Sequence, residues 1–491
     1  MVLALLLVPA VGGLLAFAIP SERPQRAILV LVAVTHFALV IASIAHHPGP
    51  SLDGFLYADS LSLLFLLITS TLFLAAAVYA VGYLHREVRT MRPDWVEGVL
   101  FSNAPERIFV GCMLIFLAAM TLVAVSQHLG LLWVAVEATT LASAPMIYFH
   151  RHHRSLEATW KYLLICSVGI ALALLGTFFV AVATPYTDGK SIPLTVRDLI
   201  ANAGSLDHTW LKAAFLLLLV GYGTKMGLAP LHTWLPDAHS ESPSLVSALM
   251  SGALLNCAFL AIMRIYQVMV AAGEGPFARE LLIGFGLLSM GFAAVFIVHQ
   301  TDFKRMLAYS SVEHMGILSL GVGIGGAATF GAMFHAINHS LAKGLLFLVA
   351  GNSLAIYRTT STKGVRGMLK LLPISGALWI VGFLAIAGSP PFGSFLSEFT
   401  ILQATFAGGH TAVAVIFLVL LATIFVAMGT VALRMAQGEP WHQHTEKKDE
   451  AWLAVLPPLA LALGVLLLGL YMPSVLNDTI QQAAGLLGGG Q

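Results

Sequence analysis

Residues 213–250 read AAFLLLLVGYGTKMGLAPLHTWLPDAHSESPSLVSALM, and they decide the class of fold. An uncharged apolar run leads to Lys225, and Gly227 and Pro230 follow closely. A lysine inside a bilayer costs at least about 3 kcal/mol even on the mildest insertion scale, so it needs a partner or a wet cavity. Proline breaks the helical ladder because it lacks an N–H and clashes with the preceding turn. The stretch predicts a broken membrane helix with an ionisable group near its middle, which is typical of transporter ion sites.

The composition extends this interpretation to all 491 residues. Hydrophobic residues make up 58% of the chain and charged residues only 10%, whereas a soluble domain carries about 25% charged residues. A net charge of +1 provides no basic surface for nucleic acid. The three cysteines are far apart and form no CxxC motif, which argues against an iron–sulfur cluster or a disulfide framework in this chain. We expect an all-α polytopic membrane protein.

Fourteen apolar stretches are long enough to span a bilayer, which takes about 20 residues each. The first lacks a preceding basic region, so we expect a spanning helix rather than a cleaved signal. The predicted spans are 1–19, 27–46, 60–84, 108–126, 128–149, 157–183, 210–230, 243–272, 280–299, 305–323, 327–356, 371–406, 411–435 and 451–472.

The distribution of Lys and Arg sets the expected orientation. The loops after odd-numbered spans, with the adjoining helix ends, hold eighteen of the twenty-five Lys and Arg residues, and the opposite loops hold five. Positive charge accumulates on the cytoplasmic side of membrane proteins. We therefore expect both termini on the non-cytoplasmic side.

Two interruptions lie five spans apart. The seventh span breaks at KMGLAPLH beside Lys225, and the twelfth breaks at AGSPPFGSFLSEF beside Glu398. Paired interruptions in corresponding halves indicate a transport site, and an odd offset, here five spans, inverts the second copy relative to the first. We expect two inverted five-helix repeats, with broken seventh and twelfth helices. The predicted domains are 1–106 (an N-terminal three-helix segment), 107–272 (the first repeat), 273–437 (the second repeat) and 438–491 (a C-terminal helix and tail).

Glu137 and Lys225 are the first candidates for proton transfer. Glu137 lies well inside the fifth span, where a carboxylate is expensive and usually marks a pathway. Lys225 is its natural counter-charge, and a buried lysine that loses its proton when its partner moves can act as a switch. The alternative is that Glu137 only holds helices together through hydrogen bonds.

His335, His339 and Lys343 follow one another at intervals of four, so they share one helical face, about 6 Å apart along the axis. Histidine titrates near neutral pH, which suits a proton relay. Alternatively, the three residues satisfy one another at a helix interface. A metal site at the HxxxH pair is disfavoured, because no nearby carboxylate or thiol completes the set and lysine is a poor ligand. We expect no metal.

Glu398 completes the primary set. It follows a double proline, so it could instead cap the second half-helix, since acids are favoured at helix N-termini. The polar segment after the seventh span, residues 232–241, could line a water-accessible mouth, but we expect an ordinary solvated turn. Lys304 could equally be an interfacial residue at the start of the tenth span. The secondary candidates are Lys304, Glu313, His314, His232 and Asn256.

Four long motifs carry a family resemblance. They are GTKMGLAPLHTWLPDAHSESPSLVSALMSGALLN, TDFKRMLAYSSVEHMG, FHAINHSLAKGLLFLVAGN and PPFGSFLSEF. The chain resembles the antiporter-like subunits of respiratory complex I, and more closely component F of hydrogenase-4-type complexes, the group 4 membrane-bound hydrogenases. The resemblance implies fourteen helices with two inverted repeats and proton translocation driven by redox chemistry in partner subunits. By position in the motifs it assigns the relay to Glu137, Lys225, Lys304, His335, His339, Lys343 and Glu398.

The chain departs from this family at two places. Several complex I relatives carry lysine or histidine in the eighth helix where this chain has Asn256, and a neutral amide holds a water but carries no charge. The link between the halves is then expected to run through water alone or through His335 and His339. After Met472 only a short, weakly hydrophobic tail remains. The lateral helix of the largest complex I antiporter subunit is missing, which favours a middle-sized subunit flanked by others.

The predicted function is a proton-translocating antiporter-like subunit of a redox-driven complex. The chain has no Walker motif, thiolate cluster or dinucleotide fingerprint, so we expect no catalytic site of its own. Water would reach Lys225 through the helix break, and the proton would leave near Glu398. The Glu137–Lys225 pair would gate transfer, because separating two charges in a low dielectric costs several kcal/mol. Three alternatives stay open: a sodium/proton antiporter subunit, the membrane half of an inorganic-carbon uptake complex, and a non-transporting scaffold.

The resemblance also implies the surroundings of the chain. It places no cofactor in this chain, iron–sulfur clusters in partner subunits and, as an option left open, a nickel–iron centre there. The expected partners are other antiporter-like membrane subunits, a peripheral redox arm and the lipid bilayer, with no nucleic acid. The translocated ion is the proton, with sodium as the alternative. The expected location is a prokaryotic inner membrane.

Overall fold

The computed structural model describes residues 1–87, 91–93, 98, 100–187, 190–440 and 449–488. Three of the Lys and Arg residues counted for the expected orientation lie outside these ranges: Arg89, Lys447 and Lys448. The end of the tail, 489–491, also lies outside them. The described chain is a helical bundle with two short antiparallel strand pairs. They are β1 (Arg92–Pro93) with β2 (Leu100–Phe101), and β3 (Tyr186–Thr187) with β4 (Lys190–Ser191).

Long apolar stretches form the helices, and polar or glycine-rich segments end them. Up to residue 271 the helices are α1 (Val2–Ala18), α2 (Glu22–His46), α3 (Ser60–Arg86), α4 (Glu106–Val125), α5 (Leu129–Ile147), α6 (His153–Ala183), α7 (Val196–Ala201), α8 (His208–Met226), α9 (Trp234–Glu241), α10 (Ser244–Leu249) and α11 (Leu255–Ala271). The remaining helices are α12 (Gly275–Val298), α13 (Phe303–Ile324), α14 (Ala327–Tyr357), α15 (Met368–Leu371), α16 (Pro373–Ile386), α17 (Gly393–Ala407), α18 (Thr411–Ala436), α19 (Trp452–Leu470) and α20 (Ser474–Gly485).

Ten helices of the described chain are long and apolar enough to cross a membrane, counting α10 and α11 as one, Ser244–Ala271, joined by a π-helical turn at Met250–Leu254. The other predicted spans correspond to the shorter α1, the interrupted pair α16–α17, and α8 and α13, which carry ionisable residues in their interiors. The bounds agree with the predicted spans to within a few residues, so the fold prediction is confirmed.

The bundle has a central helix and peripheral ones. Every residue in the most apolar 18-residue segment of Ser244–Ala271 is buried, whereas only 28% of the corresponding segment of α18 is buried. Helix α14, at 78%, is also central, and α18 exposes a row of apolar side chains. Polar residues on α14 and α11 are therefore shielded from lipid by the protein itself.

Both predicted helix breaks are present. Helix α8 ends at Gly227, whose φ of 85° is left-handed, and its N–H bonds back to Gly223 and Thr224. Trp234 on α9 donates its indole N–H to the Thr224 carbonyl at 2.8 Å, which satisfies one carbonyl that the break leaves free. The second break separates α16 from α17 over residues 387–392.

One expectation from the sequence is wrong, and one further helix was not anticipated. The segment expected as a solvated turn forms the helix α9, in which His239 is fully buried, and His232 just before it is 4% exposed. The tail after Met472 forms α20, an amphipathic helix that buries Ile480 and Ala483 against the bundle. Neither segment is apolar along its length, so a search for long apolar runs does not find it.

Candidate functional site

Lys225 lies on the last turn of α8, and its side chain is fully buried. Its ammonium donates to Thr140 Oγ1 at 2.5 Å and to the Tyr162 hydroxyl at 2.8 Å. It also lies 4.7 Å from the centre of the Tyr162 ring, within range of a cation–π interaction. Tyr162 in turn shares a 2.6 Å hydrogen bond with Ser143. Neutral groups therefore solvate this lysine.

Glu137 is linked to Lys225 through Thr140 rather than by direct contact. The Thr140 hydroxyl lies 3.2 Å from Glu137 Oε2, and it is the same oxygen that accepts from Lys225. Ser167 on α6 lies 3.4 Å from the other carboxylate oxygen. Glu137 is only half-buried, on a face of α5 where Val134 and Leu141 are exposed. A single hydroxyl thus bridges the two charges of the predicted gate.

Lys343 is the second buried lysine. It lies on α14, is fully buried, and donates to the Leu307 carbonyl of α13 at 2.8 Å. Nearby, Asn256 on α11 donates to Ser340 Oγ at 2.7 Å, and its own Oδ1 has no partner within the described structure. Asn256 thus connects α11 to α14 by a neutral hydrogen bond and leaves one acceptor free beside the helix that carries Lys343.

The histidines of α14 meet a histidine of α13. His314 lies between His335 and His339, with ring centres 5.0 and 5.1 Å away. His314 Nδ1 and His335 Nε2 are 2.9 Å apart, and His335 Nδ1 is 2.9 Å from Ser397 Oγ on α17. Hydrogen bonds therefore connect α13, α14 and α17 in series. Neither ring nitrogen of His339 has a partner among the described residues.

Glu398 lies at the far end of this series. It is the sixth residue of α17, which begins at Gly393, so it is beyond the first turn and does not cap the helix. The capping alternative is therefore wrong. The side chain is 8% exposed and packs against Gly388 in the second break, where a β-carbon would lie 2.0 Å from Glu398 Oε2. Glycine at 388 leaves the space that the carboxylate occupies.

His314, His335 and Glu398 could also be metal ligands, since one ligand atom of each lies within 4.8 Å of the others. Two histidines and a carboxylate are a known ligand set for divalent metals. In this structure, however, His314 Nδ1 and His335 Nε2 face each other at hydrogen-bond distance. The expectation that no carboxylate lies near these histidines is wrong, because Glu398 is close to both. The two rings are nevertheless hydrogen-bonded to each other, an arrangement that suits proton transfer.

Lys304 is buried, and its ammonium provides hydrogen bonds for backbone carbonyls at the end of a helix. Its ammonium donates to the carbonyls of Ser240 and Ser242 at 2.9 and 2.6 Å, where α9 ends. The lysine that opens the tenth span is therefore buried, and its part in the relay stays a prediction. His239, on α9, stacks on Phe347 of α14 with ring centres 5.1 Å apart. The segment after the first break therefore packs against the relay helix.

Glu313 and His232 flank the main series of residues. Glu313 Oε2 lies 3.9 Å from His314 Nε2 and 3.3 Å from Ser310 Oγ. His232 packs edge-on against Phe292 and Tyr309 beside the first break. The structure thus gathers His314, Glu313 and the α14 histidines into one cluster and leaves His232 apart from it.

The sequence did not identify the hydroxyl groups of the site. Thr140, Tyr162, Ser340 and Ser397 each contact a predicted residue. Hydroxyl residues are common in apolar helices, and nothing in their spacing separates these four from the others. The one available signal is helical periodicity, since Thr140 lies three residues after Glu137 on the same helical face.

Comparison with known proteins relates this chain to a family of membrane subunits. The family model described as "NADH:quinone oxidoreductase/Mrp antiporter, TM" matches residues 126–428. The chain is 34% identical over 489 residues to a hydrogenase-4 component F homolog of Methylacidiphilum infernorum, and the match covers 99% of each chain.

Solved structures share the same architecture. A chain of respiratory complex I from Thermus thermophilus superposes with a TM-score of 0.81 at 25% identity, covering 100% of both chains. A chain of the Mrp complex from Dietzia sp. superposes with a TM-score of 0.85 at 21% identity, covering 99% of this chain and 97% of that one. The second likeness supports the fold alone.

Proposed function

The chain belongs to the NADH:quinone oxidoreductase/Mrp antiporter membrane family, and from that premise we propose that it moves protons along its buried polar axis as an antiporter-like subunit of a redox-driven complex of the hydrogenase-4 or complex I type. The observation that carries the proposal is the series His339–His314–His335–Ser397, which links α14, α13 and α17 and ends on the helix that follows the second break. Ionisable groups buried in a membrane bundle usually serve a transport pathway.

In this mechanism the break after α8 admits water to Lys225, which has hydroxyl partners already in place. The proton then moves to the cluster on α14 and reaches Glu398 beside the second break. The central part of the axis has unpartnered polar atoms in the described structure, at Asn256 Oδ1, both ring nitrogens of His339, His314 Nε2 and Glu398 Oε1. Buried polar atoms of this kind are usually satisfied by water, so water molecules would complete the wire.

Protons fit the axis better than sodium ions. Hard cations such as Na⁺ need several oxygen ligands, whereas in the central cluster three imidazole rings outnumber the two carboxylates, Glu313 and Glu398. The likeness to the Mrp complex keeps sodium/proton exchange as the second candidate. If proton movement by the complex required sodium, the second candidate would replace the first.

The proposed partners follow from the face of α5 and α6 around Glu137. On this face Leu164 and Val168 of α6 are 61% and 64% exposed beside the half-buried carboxylate. A carboxylate near the middle of a membrane helix is costly against lipid. We assign this face to a neighbouring antiporter-like subunit, so that the neighbour's charge acts on Glu137. Redox cofactors, in this proposal, belong to partner subunits of a peripheral arm.

The test is Lys225→Ala in native membranes, with electron transfer and proton translocation measured separately. We expect the complex to assemble and transfer electrons while translocation falls, because Lys225 is the first proton carrier of the axis. Lys212→Ala is the matched control, since Lys212 lies on the same helix but is exposed and pairs with Glu274 at 3.0 Å.

Glu137→Gln tests the role of Glu137 as a gate separately from the role of Lys225 as a proton carrier. If Glu137 sets the charge of Lys225 through Thr140, the variant should also lose translocation with the assembly intact. Normal translocation in both variants would leave only the scaffold interpretation, in which these residues hold helices together.

A further inference from the structure

A large cavity lies away from the proton axis, on the face where α12 and α18 end. Its volume is about 720 Å³, it is largely open to the outside, and the loops after α12 and α14 contribute part of its lining. Its rim carries three exposed basic residues, His299, Lys363 and Arg434. Nothing in the proposed mechanism uses this cavity.

The basic residues of the rim have no acidic residue beside them among the described residues that line the cavity. Gln300, Thr301 and Thr362 add neutral hydrogen-bonding groups between the cations. Such a rim attracts an anion that can accept several hydrogen bonds, and a phosphate group matches this description.

Below the rim the wall becomes apolar. Ala422, Val426 and Val431 line it along α18. The twelve residue steps from Ala422 to Arg434 correspond to about 18 Å along a helix. That is enough for a headgroup at one end and a length of acyl chain below it. Further along, Val419 is 59% exposed, so the apolar surface continues past the cavity.

We propose that this cavity binds an anionic phospholipid, with its phosphate at His299, Lys363 and Arg434 and one acyl chain along α18. Basic pockets between membrane helices at the cytoplasmic side are the places where such headgroups bind. An acidic segment of a partner protein would also match the charge. It would leave the apolar wall unexplained, and the charge and the wall together favour a lipid.

The experiment uses the full chain in phosphatidylcholine nanodiscs that contain a minor fraction of spin-labelled phosphatidylglycerol. Electron paramagnetic resonance measures the immobilised fraction of the label, with spin-labelled phosphatidylcholine as the reference lipid. We expect a preference for phosphatidylglycerol in the unaltered chain. Each cation removed should weaken it by about fivefold, the factor for about 1 kcal/mol per basic residue near an anionic surface.

The test variant is Lys363→Gln combined with Arg434→Gln. Its matched control is Arg23→Gln combined with Arg151→Gln, which removes two exposed charges from the same face outside the cavity. The proposal requires the preference to fall in the first variant and to stay in the control. An equal fall in both, or no preference in the unaltered chain, would overturn it, and the latter would favour an acidic partner.

Ala422→Trp tests the acyl-chain part of the proposal. Ala422 is exposed and lines the apolar wall, so a bulky ring there fills the cavity without removing charge. The preference for phosphatidylglycerol should fall although His299, Lys363 and Arg434 all remain. An unchanged preference would show that the rim attracts anions by charge alone, which contradicts a bound lipid in the cavity.

Discussion

Buried cations of two kinds lie in this bundle, and they differ in their partners. Arg264 on α11 is fully buried, and its two terminal nitrogens donate to the two oxygens of Asp59 at 2.6 and 2.9 Å, with Ser62 Oγ at 2.7 Å. Lys225 donates to hydroxyl groups, and Lys343 donates to a backbone carbonyl. One cation has a matched carboxylate, and the other two are solvated by neutral groups.

The difference in partners suggests different roles for the buried arginine and the two buried lysines. Burial opposes the ionisation of Asp59, but the charge and hydrogen bonds of Arg264 outweigh it and hold the pKa of Asp59 below its usual range. Arginine keeps its proton in proteins, so this pair stays charged. Lys225 and Lys343 donate to neutral groups rather than directly to a carboxylate, so either lysine releases its proton without breaking a direct ion pair. We infer that the arginine fixes α3 against α11 and that the lysines carry protons.

The largest expected effect comes from breaking the matched pair. Asp59→Asn leaves the Arg264 guanidinium buried without its carboxylate, and the removal of one partner from such a pair costs about 3–5 kcal/mol of folding free energy. Thermal unfolding of the purified chain measures this loss. The control is Asp53→Asn in the exposed loop before α3. Equal stability of the two variants would show that the pair is not a structural anchor.

His335→Ala should affect transport instead of folding. It removes both hydrogen bonds that connect His314 to Ser397. A positioned proton-transfer group contributes at least about a hundredfold in rate, so we expect a loss of that order in proton translocation. Proton uptake by vesicles that contain the assembled complex measures it. His299→Ala, outside the axis, is the control, and equal rates in both variants would contradict the relay.

Tyr162→Phe should have a smaller effect. It removes one hydroxyl from Lys225 but keeps the aromatic ring and the Thr140 contact. A hydrogen bond to a charged group contributes about 1.5–3 kcal/mol, and the retained ring offsets part of this loss. We expect a translocation rate reduced by about tenfold, with the complex assembled. Tyr309→Phe, near the first break, is the control.

The smallest effect is expected at an exposed ion pair. The hydrogen bond from Lys212, together with that from His208, lowers the pKa of Glu274, which lies in the loop before α12. A lowered pKa in the folded state stabilises the protein at neutral pH, and this contribution disappears as the pH falls through the pKa of Glu274. Exposed pairs contribute little, because water screens them. Thermal unfolding of Glu274→Gln should therefore differ slightly from that of the unaltered chain at pH 7, and the two should converge in acid.

The sequence predicted much of this architecture for physical reasons. A bilayer requires long apolar helices, so their bounds follow from composition, and Lys225, Lys343 and Glu398 are conspicuous because charge is rare there. The pairing of Arg264 with Asp59 was not predictable, because 205 residues separate them along the chain. The position of His314 between two histidines depends on how α13 packs on α14. The helix α9 was missed because its polar composition is that of a loop.

The most direct test of the central claim is the number of protons translocated per electron by the assembled complex that carries Lys343→Met. Methionine approximates the volume of the lysine stem and removes the charge, so the packing of α14 should be retained and the complex should assemble. Lys370→Met, at an exposed lysine, is the control. The account predicts normal assembly and electron transfer with fewer protons per electron in Lys343→Met alone. The unaltered ratio in that variant would contradict a proton pathway through the buried lysines.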